Sequence, residues 1–298
     1  MKNIFFVLVI FSVLTTTINS CKHHQKNKST DEVQHVKNTP SNLNDYNPGL
    51  GWKLSWSDEF ETATIDTNNW TFQVEPAGRF NDEWQRYTNS SNNAYIENEQ
   101  LVIKAIHETD SHGMDQYTSA RLHTANKHTW KYGKIAAKIK LPYGKGIWPA
   151  FWMLGANIDE NGGDTPWPQT GEIDILELYG SIDNAVIESN AHYADQSGSH
   201  AMSGAAAFKL KQGIFSDAFH IFELEWNANS LTWFVDGIAF SSIPITKDEL
   251  SEFHKDFFML LNVAVGGSHA GRPDNTTIFP QYMYVDWVRV YQKNGAED

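Results

Sequence analysis

Short runs of alternating apolar and polar residues fill the chain from Trp52 to Gln292, and turn-forming residues separate them. In residues 134–141 ("KIAAKIKL") every second position is apolar, a period of two that predicts a strand with one face in water. The dipeptides Asn98-Glu99 and Asp236-Gly237 connect neighbouring runs and predict hairpins. Residues 257–267 are almost continuously apolar and predict a central strand covered on both faces.

Helical spacing is never sustained for more than a few turns, and the sequence has no internal repeat. Many short strands without intervening helices predict an all-β fold, a two-sheet antiparallel β-sandwich of the concanavalin-like jelly-roll kind. The chain has 298 residues, which fits one such domain plus an extension.

The N-terminus has the pattern of a secretory signal peptide over residues 1–20, with Lys2, an apolar stretch and then small or polar residues. Cys21, the single cysteine of the chain, follows directly, and "TINSC" resembles the lipobox of bacterial lipoproteins. We predict that Cys21 is acylated and anchors the protein to the bacterial cell envelope, at the outer membrane or cell surface. The alternative is a free thiol in a cleaved signal peptide.

Residues 21–50 are polar and lack apolar periodicity, which predicts a flexible tether. The patterned region then predicts a folded domain over residues 51–293, followed by a disordered tail over residues 294–298. The net charge of -13 argues against nucleic acid or anionic lipid as a partner. The eleven tryptophans are large plates that suit both a core and the apolar faces of sugars.

The segment "TGEIDILELYG" places Glu172, Asp174 and Glu177 among residues typical of a buried strand. In a regular strand Glu172 and Asp174 share one face, and Glu177 points to the other. A β-bulge at Ile175 or Leu176 would return Glu177 to the face of the other two. We therefore expect the three carboxylates to line a wet cleft and so to escape the cost of burial.

Two carboxylates on either side of a glycosidic bond are the groups that hydrolyse it, and a separation of about 5–5.5 Å indicates a retaining enzyme. Asp174, between them, would shift the pKa values of its neighbours by like-charge repulsion. One alternative is a surface strand with scattered acids. Another is a calcium or magnesium site built from the same carboxylates.

The motif "GEIDILE" resembles the active-site signature of glycoside hydrolase family 16, in the bulged branch that includes laminarinases, agarases and carrageenases. The resemblance to bacterial laminarinases, which are endo-β-1,3-glucanases, continues through most of the domain. It is carried by "NDEWQRYT", "YTSARLHT", "YGKIAAKIKLPYGKGIWPAFWMLG", "HIFELEW", "FFMLLNVAVGG" and "YVDWVRVYQ".

The resemblance implies a catalytic domain with a sugar cleft on the concave face and a double-displacement mechanism. Glu172 would be the nucleophile, Glu177 the general acid and base, and Asp174 an assisting carboxylate. The implied substrate is the internal β-1,3 bond of laminarin-type β-glucan, cleaved by a monomer that needs no catalytic cofactor.

Trp148 and Trp152 resemble cleft tryptophans that stack on glucosyl rings, with core packing as the alternative. Asn81 and Arg121 match polar cleft residues that bond sugar hydroxyls, although Arg121 could instead face solvent. His192 matches a cleft histidine near the acid/base pair, and a purely structural role is the alternative.

Glu59 and Asp286 resemble positions that hold a structural calcium ion on the convex face, with surface ion pairs as the alternative. The chain also departs from the family: "GGSHAG" has His269 and Ala270 where laminarinases often have "GGNWPG". A second departure, Asp82 and Trp84 in "NDEWQRYT", leaves another part of the cleft uncertain.

Three functions follow from these residues. The first is an anchored retaining endo-β-1,3-glucanase. The second is a related hydrolase of mixed-linkage β-1,3-1,4-glucan or of a sulfated galactan. The segments that flank the carboxylates have no Arg or Lys to meet sulfates, which favours a neutral glucan. The third is a lectin on the same fold, since fold alone does not decide function. A lectin has no use for three mutually repelling carboxylates.

Overall fold

The computed structural model describes residues 46–295. The predicted signal peptide, Cys21 and most of the predicted tether lie outside the described residues, as do the last three residues of the predicted tail. The seventeen strands of the described part, in chain order, are β1 (Trp52–Asp58), β2 (Thr71–Phe72), β3 (Gln85–Tyr87), β4 (Ala94–Glu97), β5 (Gln100–Thr109), β6 (Asp115–Ser119), β7 (Arg121–His123), β8 (Gly133–Lys140), β9 (Ile147–Gly155), β10 (Glu172–Glu177), β11 (Val186–Ala194), β12 (His200–Lys209), β13 (His220–Trp226), β14 (Ser230–Val235), β15 (Ile238–Pro244), β16 (Phe257–Val265) and β17 (Gln281–Lys293).

Helices are short in the described part of the chain. One four-residue α-helix, α1, spans Gly267–Ala270, and 3-10 helices span Asp159–Asn161 and Asp248–His254. No helix within residues 46–295 is long and apolar enough to cross a membrane.

The strands form two sheets. The ten-stranded sheet has the order β15-β14-β13-β8-β17-β5-β6-β3, with β1 also paired to β17 and β4 to β5. The seven-stranded sheet has the order β12-β11-β10-β9-β16-β7-β2. All strand pairs are antiparallel except β3 with β6. The predicted two-sheet antiparallel sandwich is confirmed.

The core lies between the sheets, where the inward residues of each strand meet. On β8 these are Ile135, Ala137 and Ile139, all fully buried. Trp226 and Trp233 are also fully buried, and each donates its indole N–H to a backbone carbonyl, at Phe253 and Asp174 respectively. These bonds satisfy the polar atom of each ring and let tryptophan serve as core filling.

The outer face of β8 differs from the prediction, because two of its three lysines are not in water. Lys134 and Lys138 are buried. Lys134 Nζ lies 2.9 Å from a Glu223 carboxylate oxygen and donates to the Pro48 carbonyl, while Lys138 Nζ lies 2.7 Å from Asp286. A central strand has neighbouring side chains on its outer face as well. Long lysine side chains there are covered by these neighbours and form ion pairs instead of contacts with water.

Both predicted hairpins are confirmed. Asn98-Glu99 connects β4 to β5 and Asp236-Gly237 connects β14 to β15, and all four residues have positive φ, as a type I′ turn requires. The apolar run from residue 257 forms β16, which is buried at every position and lies between β9 and β7. β16 is therefore an interior strand of the seven-stranded sheet. The face of this sheet that points away from the core holds the candidate site.

Candidate active site

A β-bulge interrupts β10 between the predicted catalytic residues. Asp174 pairs with Asn190 of β11 and Glu177 with Glu188, so three steps on β10 oppose two on β11. The pairing with β9 shifts in the same place, since Asp174 faces Trp152 while Leu176 faces Phe151. One extra residue is thus accommodated between Asp174 and Glu177, and the predicted bulge at Ile175 or Leu176 is confirmed.

The bulge separates the side chains of β10 into two groups. Ile173, Ile175 and Leu176 are buried in the core between the sheets. Glu172, Asp174 and Glu177 line a groove of about 350 Å³ on the other face of the seven-stranded sheet. The other lining residues are Arg79, Phe80, Asn81, Glu83, Arg121, Trp148, Ala150, Trp152, Leu154, Ile158, Glu160, Trp167 and Asn262.

Glu177 accepts hydrogen bonds from several side chains in the groove. Trp148 Nε1 donates to Oε1 at 2.9 Å, and the Tyr179 hydroxyl donates to Oε2 at 2.8 Å. Asn190 Nδ2 lies 3.5 Å from the same Oε2. These donors fix the orientation of the carboxyl group.

The expectation that the carboxylates escape burial is wrong for two of them. Asp174 is 2% exposed and Glu177 is 8% exposed, although both border the groove. The cause is the close cover of aromatic and amide side chains from β9 and β11, which the sequence pattern did not show. Donors such as Trp148 and Tyr179 offset the cost of desolvation at Glu177.

Glu172 and Asp174 form a close pair of acids with raised pKa values. Burial raises the pKa of Glu172 well above its usual range, and the negative charge of Asp174 raises it further, while His192 opposes the shift. Burial and the charge of Glu177 likewise raise the pKa of Asp174, whereas its hydrogen bond with Glu172 lowers it. Each acid of this pair therefore keeps its proton to a higher pH than an isolated carboxyl group does.

His192 and Trp167 are the other neighbours of this pair. Trp167 Nε1 donates to Glu172 Oε2 at 3.0 Å. His192 pairs with Glu172 across the strands, and its Nε2 lies 3.0 Å from Asp174 Oδ2. That contact is not aligned as a hydrogen bond, so the buried Oδ2 has no hydrogen-bond partner among residues 46–295.

A metal ion at this pair has little support from its donor set. In the described part of the chain, Glu172, Asp174 and His192 form the single group of three acidic or histidine side chains whose ligand atoms all lie within 4.8 Å of one another. Calcium and magnesium prefer more oxygen ligands than two carboxylates supply. The geometry therefore matches two acids with an assisting imidazole better than a cage for a hard cation.

The predicted sugar-binding residues lie in the groove with one exception. Trp148, Trp152, Asn81 and Arg121 line it, whereas His192 lies at its edge against Asp174. Trp148 is buried, and its indole edge is directed at Glu177. Trp148 thus contacts one of the predicted catalytic carboxylates directly, whereas the prediction for it was stacking on a glucosyl ring.

Trp152 and Arg121 support each other across the groove floor. The Arg121 guanidinium lies 4.7 Å from the Trp152 ring centre, and Arg121 Nε donates to Gln73 Oε1. Trp152 Nε1 donates to Asn262 Oδ1 at 2.8 Å. Asn81 has a positive φ of 48° and donates to Glu83 Oε1 at 3.4 Å.

Sequence reasoning missed Trp167, Tyr179, Asn190 and Asn262. Trp167 is the groove tryptophan with an open face, being 45% exposed. Its place in "TPWPQT", between two prolines of a loop just before the acids, is a signal that could have identified it. Tyr179 directly follows the acid strand, but Asn190 and Asn262 carry no local signal, because strand pairing alone brings them here.

The two departures from the family pattern have clear places in the structure. His269 on α1 contacts the rings of Trp148 and Tyr179, at centroid distances of 5.2 and 5.9 Å. It therefore packs against two of the three side chains that donate to Glu177. Trp84 contacts Tyr117 at 5.8 Å, and Arg272 lies over its ring. The exposed Asp82 shares the positive-φ turn that begins at Asn81.

Glu59 and Asp286 lie together at a second cavity of about 200 Å³, which Glu61, Asn98, Glu99, Trp287 and Arg289 also line. Both oxygens of Glu59 accept from Arg289, at 2.8 and 2.7 Å, and Asp286 pairs with Lys138. The lining oxygens are of a kind that calcium accepts. The two predicted ligands are nevertheless each bonded to a cation here, so calcium binding stays a prediction.

Comparison with known proteins gives a consistent result for this site. The family model described as "Glycosyl hydrolases family 16" matches residues 80–289, which include the acid strand and the groove. The chain is 32% identical over 265 residues to glucan endo-1,3-beta-glucosidase A1 of Niallia circulans, covering 82% of this chain and 38% of that protein. It is 34% identical to a beta-glucanase of Rhodothermus marinus, covering 81% of this chain and 85% of that protein.

Among solved structures, the laminarinase catalytic domain of Thermotoga maritima is similar, with 43% identity and a TM-score of 0.70. The match covers 82% of this chain and 99% of that one. The chain thus spans 38% of the length of the Niallia protein but nearly all of an isolated catalytic domain.

Proposed function

The chain belongs to glycosyl hydrolases family 16, and we propose that it is a retaining glycosidase that cleaves internal β-1,3-glucosidic bonds of laminarin-type β-glucan. The observation that carries the proposal is the bulge in β10, which turns Glu172, Asp174 and Glu177 toward one groove. The relatives named as endo-1,3-β-glucanases supply the bond type.

In the first step Glu172 attacks the anomeric carbon, and the bond to the leaving sugar breaks as Glu177 donates a proton to its oxygen. In the second step Glu177 takes a proton from water, the water oxygen attacks the anomeric carbon, and the ester to Glu172 breaks. Two inversions leave the β configuration of the substrate unchanged.

The surrounding side chains suit these roles. Trp148 and Tyr179 hold Glu177 in a fixed orientation, which keeps its proton directed at one place in the groove. Trp167 donates to Glu172, so it can stabilise the carboxylate before attack and after the ester breaks. Asp174 lies beside Glu172, and its negative charge raises the pKa of Glu172 and so the pH at which Glu172 is ionised.

A neutral polysaccharide fits the charge of the groove. The cations that line it within residues 46–295 are Arg79 and Arg121. Arg79 pairs with Glu160 at 3.1 Å, and Arg121 bonds Gln73 and lies against aromatic rings. With both guanidinium groups engaged, recognition of sulfate groups has little support, and a β-glucan is favoured over a sulfated galactan.

The test is a panel of laminarin, lichenan and agarose, with new reducing ends as the readout. We expect laminarin to be cleaved fastest, and early products of several lengths would indicate internal cleavage. Proton NMR of the first product should show the β anomer, and an initial α anomer would reject the mechanism. Glu172→Ala should abolish turnover while oligosaccharide binding stays measurable. Binding without turnover by the unaltered protein would favour the lectin instead.

We also propose that Cys21 is acylated and tethers a monomeric enzyme to the cell envelope, which rests on the lipobox-like sequence. Labelled fatty acid supplied to the host should enter the intact protein but not a Cys21→Ala variant.

Calcium, if bound near Glu59 and Asp286, should act on stability alone. A chelator should then lower the unfolding temperature, and no change would dismiss the site.

A further inference from the structure

His200, on the edge strand β12, lies next to His192 and has no part in the mechanism above. His192 Nδ1 lies 2.9 Å from His200 Nε2, and the two rings are inclined by 28°. The other nitrogen of His192 lies 3.0 Å from Asp174 Oδ2. The imidazole of His192 therefore lies between the assisting carboxylate and a second histidine.

The positions of the protons follow from this geometry. A neutral imidazole has one N–H donor and one acceptor nitrogen. An ionised Asp174 attracts His192 Nε2 when that nitrogen carries the hydrogen, which leaves Nδ1 as an acceptor. His200 Nε2 is then assigned as the donor to His192 Nδ1.

His200 also contacts the second route to the acid pair. Its ring centre lies 4.7 Å from that of Trp167, whose N–H bonds Glu172. His200 therefore has two separable properties, a donor directed at His192 and a ring against Trp167. The N–H of His200 acts, through His192, on Asp174, which is closed off from solvent. The ring of His200 contacts Trp167, which is exposed.

We propose that His200 is a positioning residue for the glycosidase reaction: its N–H holds the His192 ring against Asp174, and Asp174 in turn is held beside Glu172. The proposal rests on the proposed function, since it assigns His200 a role in that reaction. Without the donor, the His192 ring can turn about its own axis, because no other side-chain partner is seen for its Nδ1 within residues 46–295.

Two substitutions separate the donor from the ring. His200→Gln keeps an N–H at about the reach of Nε2 but removes the ring, and His200→Phe keeps a ring against Trp167 but removes the donor. We expect kcat on laminarin to fall about fivefold for His200→Phe, the usual value of one hydrogen bond, with KM little changed. His200→Gln should stay within about twofold of the unaltered protein.

Met202→Ala is the matched control. Met202 pairs with His192 across β11 and β12 and is 56% exposed, so it tests a general disturbance of this edge. Its kcat and the unfolding temperatures of all three variants should match those of the unaltered protein. Full activity in His200→Phe would overturn the proposal, and so would a loss in His200→Gln as large as that in His200→Phe.

A second measurement is independent of turnover. Nitrogen-15 NMR of the histidine rings should show His192 with a hydrogen-bonded Nδ1 acceptor in the unaltered protein and in His200→Gln, and without it in His200→Phe. If the unaltered protein cleaves no glucan, the proposed function fails, while these spectra still decide whether His200 holds His192. Identical His192 signals in all three proteins would reject the contact itself.

Discussion

Replacing Asp174 with Asn should move the acidic limb of the pH profile to lower pH. The negative charge of Asp174 raises the pKa of Glu172, and Glu172 must be ionised to act as the nucleophile. Asn has nearly the same shape but no charge. Glu172 in this variant should therefore lose its proton at a lower pH.

The structure gives the size of this effect. The facing ligand atoms of Glu172 and Asp174 lie within 4.8 Å of each other. Two unit charges at that separation repel by about 0.9 kcal/mol in water and by about 3.5 kcal/mol at an effective dielectric constant of about 20. Since about 1.4 kcal/mol is a tenfold change in an equilibrium constant, a repulsion between these limits is large enough to move the acidic limb of the profile measurably to lower pH.

The assay is kcat/KM on laminarin from about pH 3 to pH 8, with each profile normalised to its own plateau. Glu160→Gln is the control, since Glu160 lines the same groove but is paired with Arg79 and does not contribute to the raised pKa of Glu172. Its acidic limb should stay in place. A limb in Asp174→Asn that is unchanged, or that moves to higher pH, would refute the electrostatic coupling of the two acids.

Three further predictions concern stability and the bulge. The folded protein holds the Asp174 proton to a higher pH than the unfolded chain does, so this residue lowers stability as pH rises from the ordinary carboxyl range through the folded-state pKa. Asp174→Asn should therefore raise the calorimetric unfolding temperature at pH 7 and change it less near pH 4. Deletion of Ile175 should restore regular pairing and leave Glu177 on the groove face, because Glu177 then follows Asp174 by two residues; hydrolysis of laminarin should persist, and its loss in a variant with an unchanged unfolding temperature would contradict this account of the bulge. Trp226→Ala removes a fully buried ring and its bond to the Phe253 carbonyl, and urea unfolding should show a loss of about 3–5 kcal/mol, while a loss under about 1 kcal/mol would show that the core is not arranged as described.

Local patterns in the sequence were enough for much of the fold. The period of two marks strands such as β8, and the dipeptide Asp236-Gly237 marks a turn, because both depend on neighbours along the chain. The bulge in β10 followed from the same logic. Acids at positions 172, 174 and 177 can share a face only if one residue is taken out of the alternation.

The same patterns did not show how closely the sandwich covers its polar residues. Lys134 was expected in water and Asp174 in an open cleft, but both are buried. Alternation tells which face a side chain points to, whereas burial depends on what other segments place over that face. For Lys134 this cover includes Pro48 and Glu223, both distant in sequence.

The sequence by itself determined the two-sheet class, the hairpins and the common face of the three acids, since each is encoded by spacing along one strand or one turn. Tertiary structure alone decided which side chains surround those acids. Trp148, Asn190 and His200 reach the site from three other strands, and Trp167 reaches it from a loop. Burial among such side chains, together with the neighbouring negative charges, raises the pKa values of Glu172 and Asp174, because desolvation and charge repulsion depend on distance in space and not on distance in sequence.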